Sequence, residues 1–441
     1  MGLLHTIKSK IPAAWLQPYH YVLARGSALV YGNPSNKLIV IGVTGTKGKS
    51  STTQMMAQLL TASGKKVGYT GTAGFSIAGK VIENRMKMTM PGRFVLQRLL
   101  REMVQAGCEY AIIETSSQGL LQYRHLGINY DVAVFTNLSP EHIEAHGGFA
   151  AYRAAKKLLF THLSMRVHKI IDGKKIDKVI VTNADDEAAE YYAEAPADKK
   201  FSFSWHGQAS AMRIVPTNVI RDEDGLRMTI DHVDFAVPLV AEFEQQNALC
   251  AIATLAAVGI PLTQLAQAAK QLQSIPGRFE RIVCGQPFAV IVDYAYEPKA
   301  IETLLRSIVP LKPRRIIGVH GSAGGGRDVA RREKIGRLAG EKEDVVIVTN
   351  EDPYDDNPEE IVRMVADGAR AVGKIDGQNL LVIMDRQAAI DKAMQLAGPG
   401  DVVLLTGKGS EPVMAVAGGV KLPWDDRTAA RKALAKIGYG V

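Results

Sequence analysis

The feature that most restricts the fold is an apolar strand that runs straight into a glycine loop and then a helix. Leu38-Ile39-Val40-Ile41 leads into Gly42-Val43-Thr44-Gly45-Thr46-Lys47-Gly48-Lys49-Ser50-Ser51-Thr52-Thr53, and an amphipathic stretch continues to Leu60. In this order the backbone N–H groups and the helix N-terminus point at phosphate oxygens. Lys49 supplies a cation to the β/γ-phosphate region and Ser50 offers a hydroxyl to Mg2+, with Gly45, Thr46, Lys47, Gly48 and Ser51 completing the loop. A general phosphate loop has its first glycine where Val43 stands, and here the extra glycine is Gly45.

From Lys37 onward, short apolar runs alternate with amphipathic stretches, the pattern of a parallel sheet covered by helices. Leu38–Val43, Tyr110–Glu114, Asp131–Thr136 and Lys178–Thr182 are expected strands, and Gln245–Val258 an expected helix. Between Phe201 and Pro238 the shorter alternating segments predict an antiparallel patch. Pro276-Gly277-Arg278 breaks the series, and a second one follows with Ala289–Asp293, Arg315–Val319, Asp344–Thr349, Leu380–Met384 and Val402–Thr406. The expectation is an α/β chain: an N-terminal segment 1–36, a P-loop ATPase domain with a parallel sheet over 37–276, and a C-terminal Rossmann-like α/β domain over 277–441.

Composition narrows the function classes. A hydrophobic share of 46 % over 441 residues is ample for two cores. The net charge of +8 favours anionic partners, but Lys and Arg are scattered, without the clustered footprint of nucleic-acid binding. Cys108, Cys250 and Cys284 are too far apart for a metal pattern and read as reduced, cytoplasmic thiols. No apolar run reaches the roughly 20 residues that span a bilayer. Leu3 to Tyr31 mixes Trp15, Tyr19, Tyr21 and Val22 with Lys8, Lys10 and Arg25, so it either packs on the body or makes peripheral contact with a membrane.

Activating a carboxylate with ATP brings two anions together, so a site for that chemistry needs a metal and cations. Glu114 stands at the end of one apolar run, and His142 follows another in Thr136-Asn137-Leu138-Ser139-Pro140-Glu141-His142. Strand ends are where parallel sheets present their ligands.

The loop Gly-Val-Thr-Gly-Thr-x-Gly-Lys-Ser resembles that of the Mur ligases, with the best match to the MurE-type UDP-N-acetylmuramoyl-tripeptide synthetases; Lys47 stands where family members usually have Asn. The resemblance implies an ATP- and Mg2+-dependent amide ligase that works through an acyl phosphate in peptidoglycan biosynthesis. It implies that Glu114, His142 and Ser50 bind Mg2+ and that Asn137, Asn247, Arg278 and Asp293 contact nucleotide. Lys156, within Ala154-Ala155-Lys156-Lys157-Leu158-Leu159-Phe160, matches the lysine that is carbamylated, which places Lys49, Lys156 and His142 in the catalytic group. Gly324-Gly325-Gly326-Arg327-Asp328 resembles the second-domain loop that closes over the phosphates, with Arg327 as its cation. Tyr296 replaces a usual histidine.

For the acceptor, Thr89-Met90-Pro91, Ser116 and Arg124 match residues that hold a muramoyl dipeptide. For the incoming amino acid, Asp352 and Tyr354 in Asn350-Glu351-Asp352-Pro353-Tyr354 and Glu411 in Gly407-Lys408-Gly409-Ser410-Glu411 match the binding loops. Diaminopimelate-adding relatives have arginine where Tyr354 stands. With Glu351, Asp352, Asp355 and Glu411 nearby, a lysine-like side chain is the expected substrate. MurE-type enzymes carry a UDP-binding domain ahead of the ATPase, which residues 1–36 are too few to form, so a muropeptide-like acceptor not linked to UDP stays open. A folylpolyglutamate- or cyanophycin-type amide ligase shares the ATPase plan, and a regulatory P-loop NTPase is the alternative outside the ligases. A monomer is expected.

Overall fold

The computed structural model describes residues 13–440 apart from 73, 83, 85–87, 141–145 and 327–328, with side chains from residue 18. The chain divides into two compact units, with the main division between Gln273 and Ser274.

The first unit is built on a nine-stranded sheet in the order Arg213–Ile214, Lys199–Phe203, Val179–Asn183, Val132–Phe135, Ile39–Thr44, Tyr110–Glu114, Val67–Gly71, Gly74–Ile77, Lys80–Ile82. Pairing is parallel until Gly74–Ile77 and Lys80–Ile82, which turn back as antiparallel edge strands. The central strands are covered on both faces, which is why they read as unbroken apolar runs: Val40, Ile41, Val43, Ile112, Ile113 and Val134 are fully buried. Phe201 departs from expectation. It lies in Lys199–Phe203, which joins the parallel sheet against Val179–Asn183, while the antiparallel patch holds Thr217–Asp222, Gly225–Ile230 and Val233–Val237.

The helix Ala13–Val30 packs on the helix Arg93–Gln105. Ala24 and Ala28 lie against Gly127, where a Cβ would come within 2.7 Å of the Ala24 carbonyl oxygen. Tyr19, Tyr21, Val22, Leu29 and Val30 remain exposed. No helix among the described residues is long and apolar enough to cross a membrane.

The second unit carries a six-stranded sheet in the order Glu280–Arg281, Ala289–Val292, Val402–Leu405, Ile316–His320, Val345–Val348, Leu380–Val382, parallel except at Glu280–Arg281. The chain leaves Ala289–Val292, skips one position and returns last to fill it with Val402–Leu405. This switch point opens a crevice at the carboxyl ends of the strands, the usual ligand position of an open α/β sheet.

Candidate active site

The phosphate loop lies between the strand Ile39–Thr44 and the helix Lys49–Ala62. Gly48 has φ 78°, and a Cβ there would lie 2.2 Å from Asn247 Oδ1, so conformation and space both require glycine. Asn137 braces the loop from the neighbouring strand end: the Lys47 amide donates to its Oδ1 at 2.8 Å, and its Nδ2 donates to the Lys47 carbonyl at 3.0 Å. Thr136 Oγ1 also donates to the Lys47 carbonyl, at 2.8 Å. Lys49 Nζ donates to the Thr46 carbonyl at 2.7 Å, which holds the ammonium over its own loop.

Beside the loop, Ser50 Oγ donates to Glu114 Oε2 at 2.9 Å. Glu114 is buried at the end of its strand and also accepts from the Thr72 amide at 2.7 Å and Thr72 Oγ1 at 3.1 Å. Thr72 Oγ1 in turn donates to Thr89 Oγ1 at 2.9 Å, linking the carboxylate to the expected acceptor residues. A hydroxyl and a carboxylate oxygen this close form the hard oxygen set that suits Mg2+. Among the described residues no group of three or more His, Cys, Asp or Glu gathers as a metal cluster. His142 lies outside the described residues.

Lys156 is buried on the helix Phe149–Ser164. Its Nζ donates to the Gly45 carbonyl at 2.7 Å and sits 4.2 Å from the centre of the Tyr152 ring. Thr46, Lys49, Thr89, Ser116, Arg124 and Lys156 line one cavity of about 420 Å³. Ser116 has a second task there, because its Oγ accepts from the Gly119 amide at 3.1 Å and caps a short helix.

In the second unit, Asp293 is buried with both oxygens on backbone amides, those of Phe279 and Ala295, each at 2.7 Å. It pins the Pro-Gly-Arg-Phe turn to the strand end, and burial raises its pKa. Arg278 stacks 4.4 Å from the centre of the Tyr294 ring. Lys408 is fully buried between Asp352, whose two oxygens it reaches at 2.8 Å, and Glu411, also at 2.8 Å. The acidity counted along these loops is therefore offset from within. Tyr354, at φ 52°, rests its ring on Gly325, where a Cβ would lie 2.9 Å away. Arg327 lies outside the described residues.

Glu351 is enclosed by Gly321 and Gly407; a Cβ at Gly407 would lie 2.2 Å from its Oε2. Among the described residues that oxygen has no hydrogen-bond partner. Burial pushes the carboxyl up to about 7, against the pull of Arg386 and Lys408. A folded-state pKa above the ordinary 4.5 gives stability that is complete below 4.5 and lost as pH rises through about 7. Glu351→Gln cannot ionise, so its Tm relative to wild type should climb between about pH 5 and pH 8. Paired thermal melts check this, and a pH-independent difference would contradict it.

Residues 43–255 match the Mur ligase middle domain and residues 277–409 the Mur ligase, glutamate ligase domain. A UDP-N-acetylmuramyl-tripeptide synthetase of Roseiflexus sp. is 38 % identical over 438 residues, covering 98 % of this chain and 85 % of the relative. The chain belongs to the Mur ligase family. A second relative, a UDP-N-acetylmuramoyl-L-alanyl-D-glutamate--2,6-diaminopimelate ligase of Geobacillus kaustophilus, is 36 % identical over 92 % of this Mur ligase and 81 % of its own length. A solved structure of a ligase with that same activity superposes with TM-score 0.65 at 27 % identity, covering 91 % of this chain and 79 % of the other. The folylpolyglutamate synthase of Mycobacterium tuberculosis superposes with TM-score 0.66 at 18 % identity, a likeness of fold alone. As a Mur ligase the chain is an ATP- and Mg2+-dependent enzyme that forms a carbon–nitrogen bond.

Two contacts of this Mur ligase were missed in the sequence. Thr72 joins Glu114 to Thr89, and its place just after the strand Val67–Gly71 was the signal that could have found it. Tyr152 supports Lys156 from one turn earlier on the same helix, a spacing that alone marks no function.

Proposed function

We propose that this Mur ligase activates the carboxylate of a muramoyl-peptide acceptor and joins it to a lysine-like diamino acid, the third residue of the stem. The observation that carries the reading is the single cavity shared by the phosphate-loop residues Thr46 and Lys49 and the acceptor residues Thr89, Ser116 and Arg124. A carboxylate held there is close to the phosphate it must attack.

In the first step a carboxylate oxygen attacks the γ-phosphorus, and ADP leaves with the electrons of the broken P–O bond. Lys49 and the helix N-terminus behind it stabilise the negative charge that builds on the phosphoryl oxygens. Arg124 holds the acceptor by its acid groups. In the second step the amine attacks the acyl carbon, and phosphate leaves with one former carboxylate oxygen. Ser50 and Glu114 would hold Mg2+, which supplies charge neutralisation between the two reacting anions. Lys156 would act as a carbamate, exchanging a cation for oxygen ligands. Asn137 and Asn247 would be the first unit's nucleotide contacts, and Arg278 and Asp293 those of the second, Asp293 through the turn it pins.

The amino-acid preference rests on Tyr354, because Lys408 already answers Asp352 and one oxygen of Glu411. A phenol cannot grip a second carboxylate as a guanidinium does. Wild type should favour lysine over diaminopimelate, and Tyr354→Arg should shift the ratio of kcat/KM toward diaminopimelate by about ten- to hundredfold. Position 354 already carries a non-glycine side chain at positive φ, so the exchange adds no new backbone strain. A wild type that already prefers diaminopimelate would overturn this preference. Phosphate release with ATP and acceptor that does not depend on any amino acid would sink the ligase reading as a whole.

A further inference from the structure

Arg93 is the first residue of the helix Arg93–Gln105, directly after Gly92. A cation at a helix N-terminus opposes the macrodipole, and a local rule broken in this way is a reason to look for a ligand. Arg93 does not stand alone. Its Nη2 donates to the Gln122 carbonyl, while Arg124 donates through Nη2 to Gln122 Oε1 and through Nη1 to the Met90 carbonyl. The two guanidiniums therefore flank one residue, each oriented by neutral acceptors.

Both arginines are half-buried, and their hydrogen bonds to described residues go to neutral acceptors. Burial, and after it the charge of Arg93, lowers the Arg124 pKa; burial likewise lowers that of Arg93, with Tyr19 opposing. Two adjacent, half-buried cations repel one another, and an anion bound between them would relieve this. Arg124 lines the cavity that holds the phosphate loop.

We propose that Arg93 joins Arg124 in a two-guanidinium clamp for a second, non-reacting acid group of the acceptor, a carboxylate or a phosphate, and so selects a doubly anionic acceptor. The assignment rests on the acceptor side of the function proposed above. It adds a specificity-determining residue: the reacting carboxylate faces Lys49, while the clamp fixes the acceptor by a group that does not react. Arginine is the side chain suited to this, because its planar fork matches both carboxylate and phosphate.

The test is calorimetric binding of three acceptors to wild type, Arg93→Gln and Arg93→Lys, with a non-hydrolysable ATP analogue present. The acceptors are UDP-linked muramoyl-alanyl-glutamate, the same peptide on a free sugar without the diphosphate, and the UDP-linked form with its non-reacting carboxylate amidated. Arg93→Gln should raise Kd about tenfold or more for acceptors carrying the clamped group, and hardly at all for the one that lacks it. Loss confined to the acceptors with a free carboxylate assigns the clamp to that group, and loss confined to those with the diphosphate assigns it to phosphate. Arg93→Lys should recover only part of the affinity. Unchanged affinity for the ATP analogue confirms that the variants are folded. Equal loss on all three acceptors, no loss on any, or wild type that binds none would overturn the clamp. Arg93-dependent binding without an amide product from any amino acid would uphold the clamp and sink the proposed function.

Discussion

Lys49→Ala is expected to lower ligation by about 10²- to 10³-fold while leaving Tm close to that of wild type. The ammonium stands over the phosphate loop, where it donates to the Thr46 carbonyl of the same loop. Removing it takes a positive charge from the place where phosphoryl charge develops and empties no core position. Steady-state phosphate release with saturating acceptor and amino acid measures the effect. A variant with wild-type turnover would mean that this loop does not hold the reacting phosphate.

Lys156→Ala should lose about 10²-fold or more in rate and recover part of it when formate or acetate is supplied. The amine is buried against the Gly45 carbonyl and the Tyr152 ring, within the cavity shared with Lys49. A short carboxylate diffusing into the space left by the side chain restores oxygen ligands, which an amine could not have provided. Rescue by acetate but not by methylamine is therefore the distinguishing result. Rescue by the amine alone, or crystals grown with bicarbonate and nucleotide that show a plain lysine, would leave Lys156 as a loop support and no more.

Much of this was legible along the chain. The central strands are apolar on both faces, so they stand out without periodicity, and Gly48 announces a turn that no side chain could make. Phe201 was misplaced because its strand, second from the sheet edge, is only partly buried and so lacks the unbroken apolar run of the central strands. The internal neutralisation of Asp352 by Lys408 could not be read, since the two residues are 56 positions apart and follow strands that the sheet brings to either side of Ile316–His320. Asp293 looked like a ligand residue, yet both its oxygens serve the backbone. Arg93 carries no motif that the sequence analysis could single out, and its proximity to Arg124 is what gives it a role.

The most direct test of the acyl-phosphate route is oxygen transfer from the acceptor. Muramoyl-alanyl-glutamate labelled with ¹⁸O in its reacting carboxylate is turned over with unlabelled ATP and lysine, and the released phosphate is examined by mass spectrometry. An acyl phosphate requires one acceptor oxygen to leave in each phosphate when the amine attacks the acyl carbon. Phosphate carrying one ¹⁸O in proportion to amide formed is the expected result. Amide formed together with wholly unlabelled phosphate would mean that the carboxylate is never phosphorylated, and the mechanism built on Lys49, Ser50 and Glu114 would be wrong.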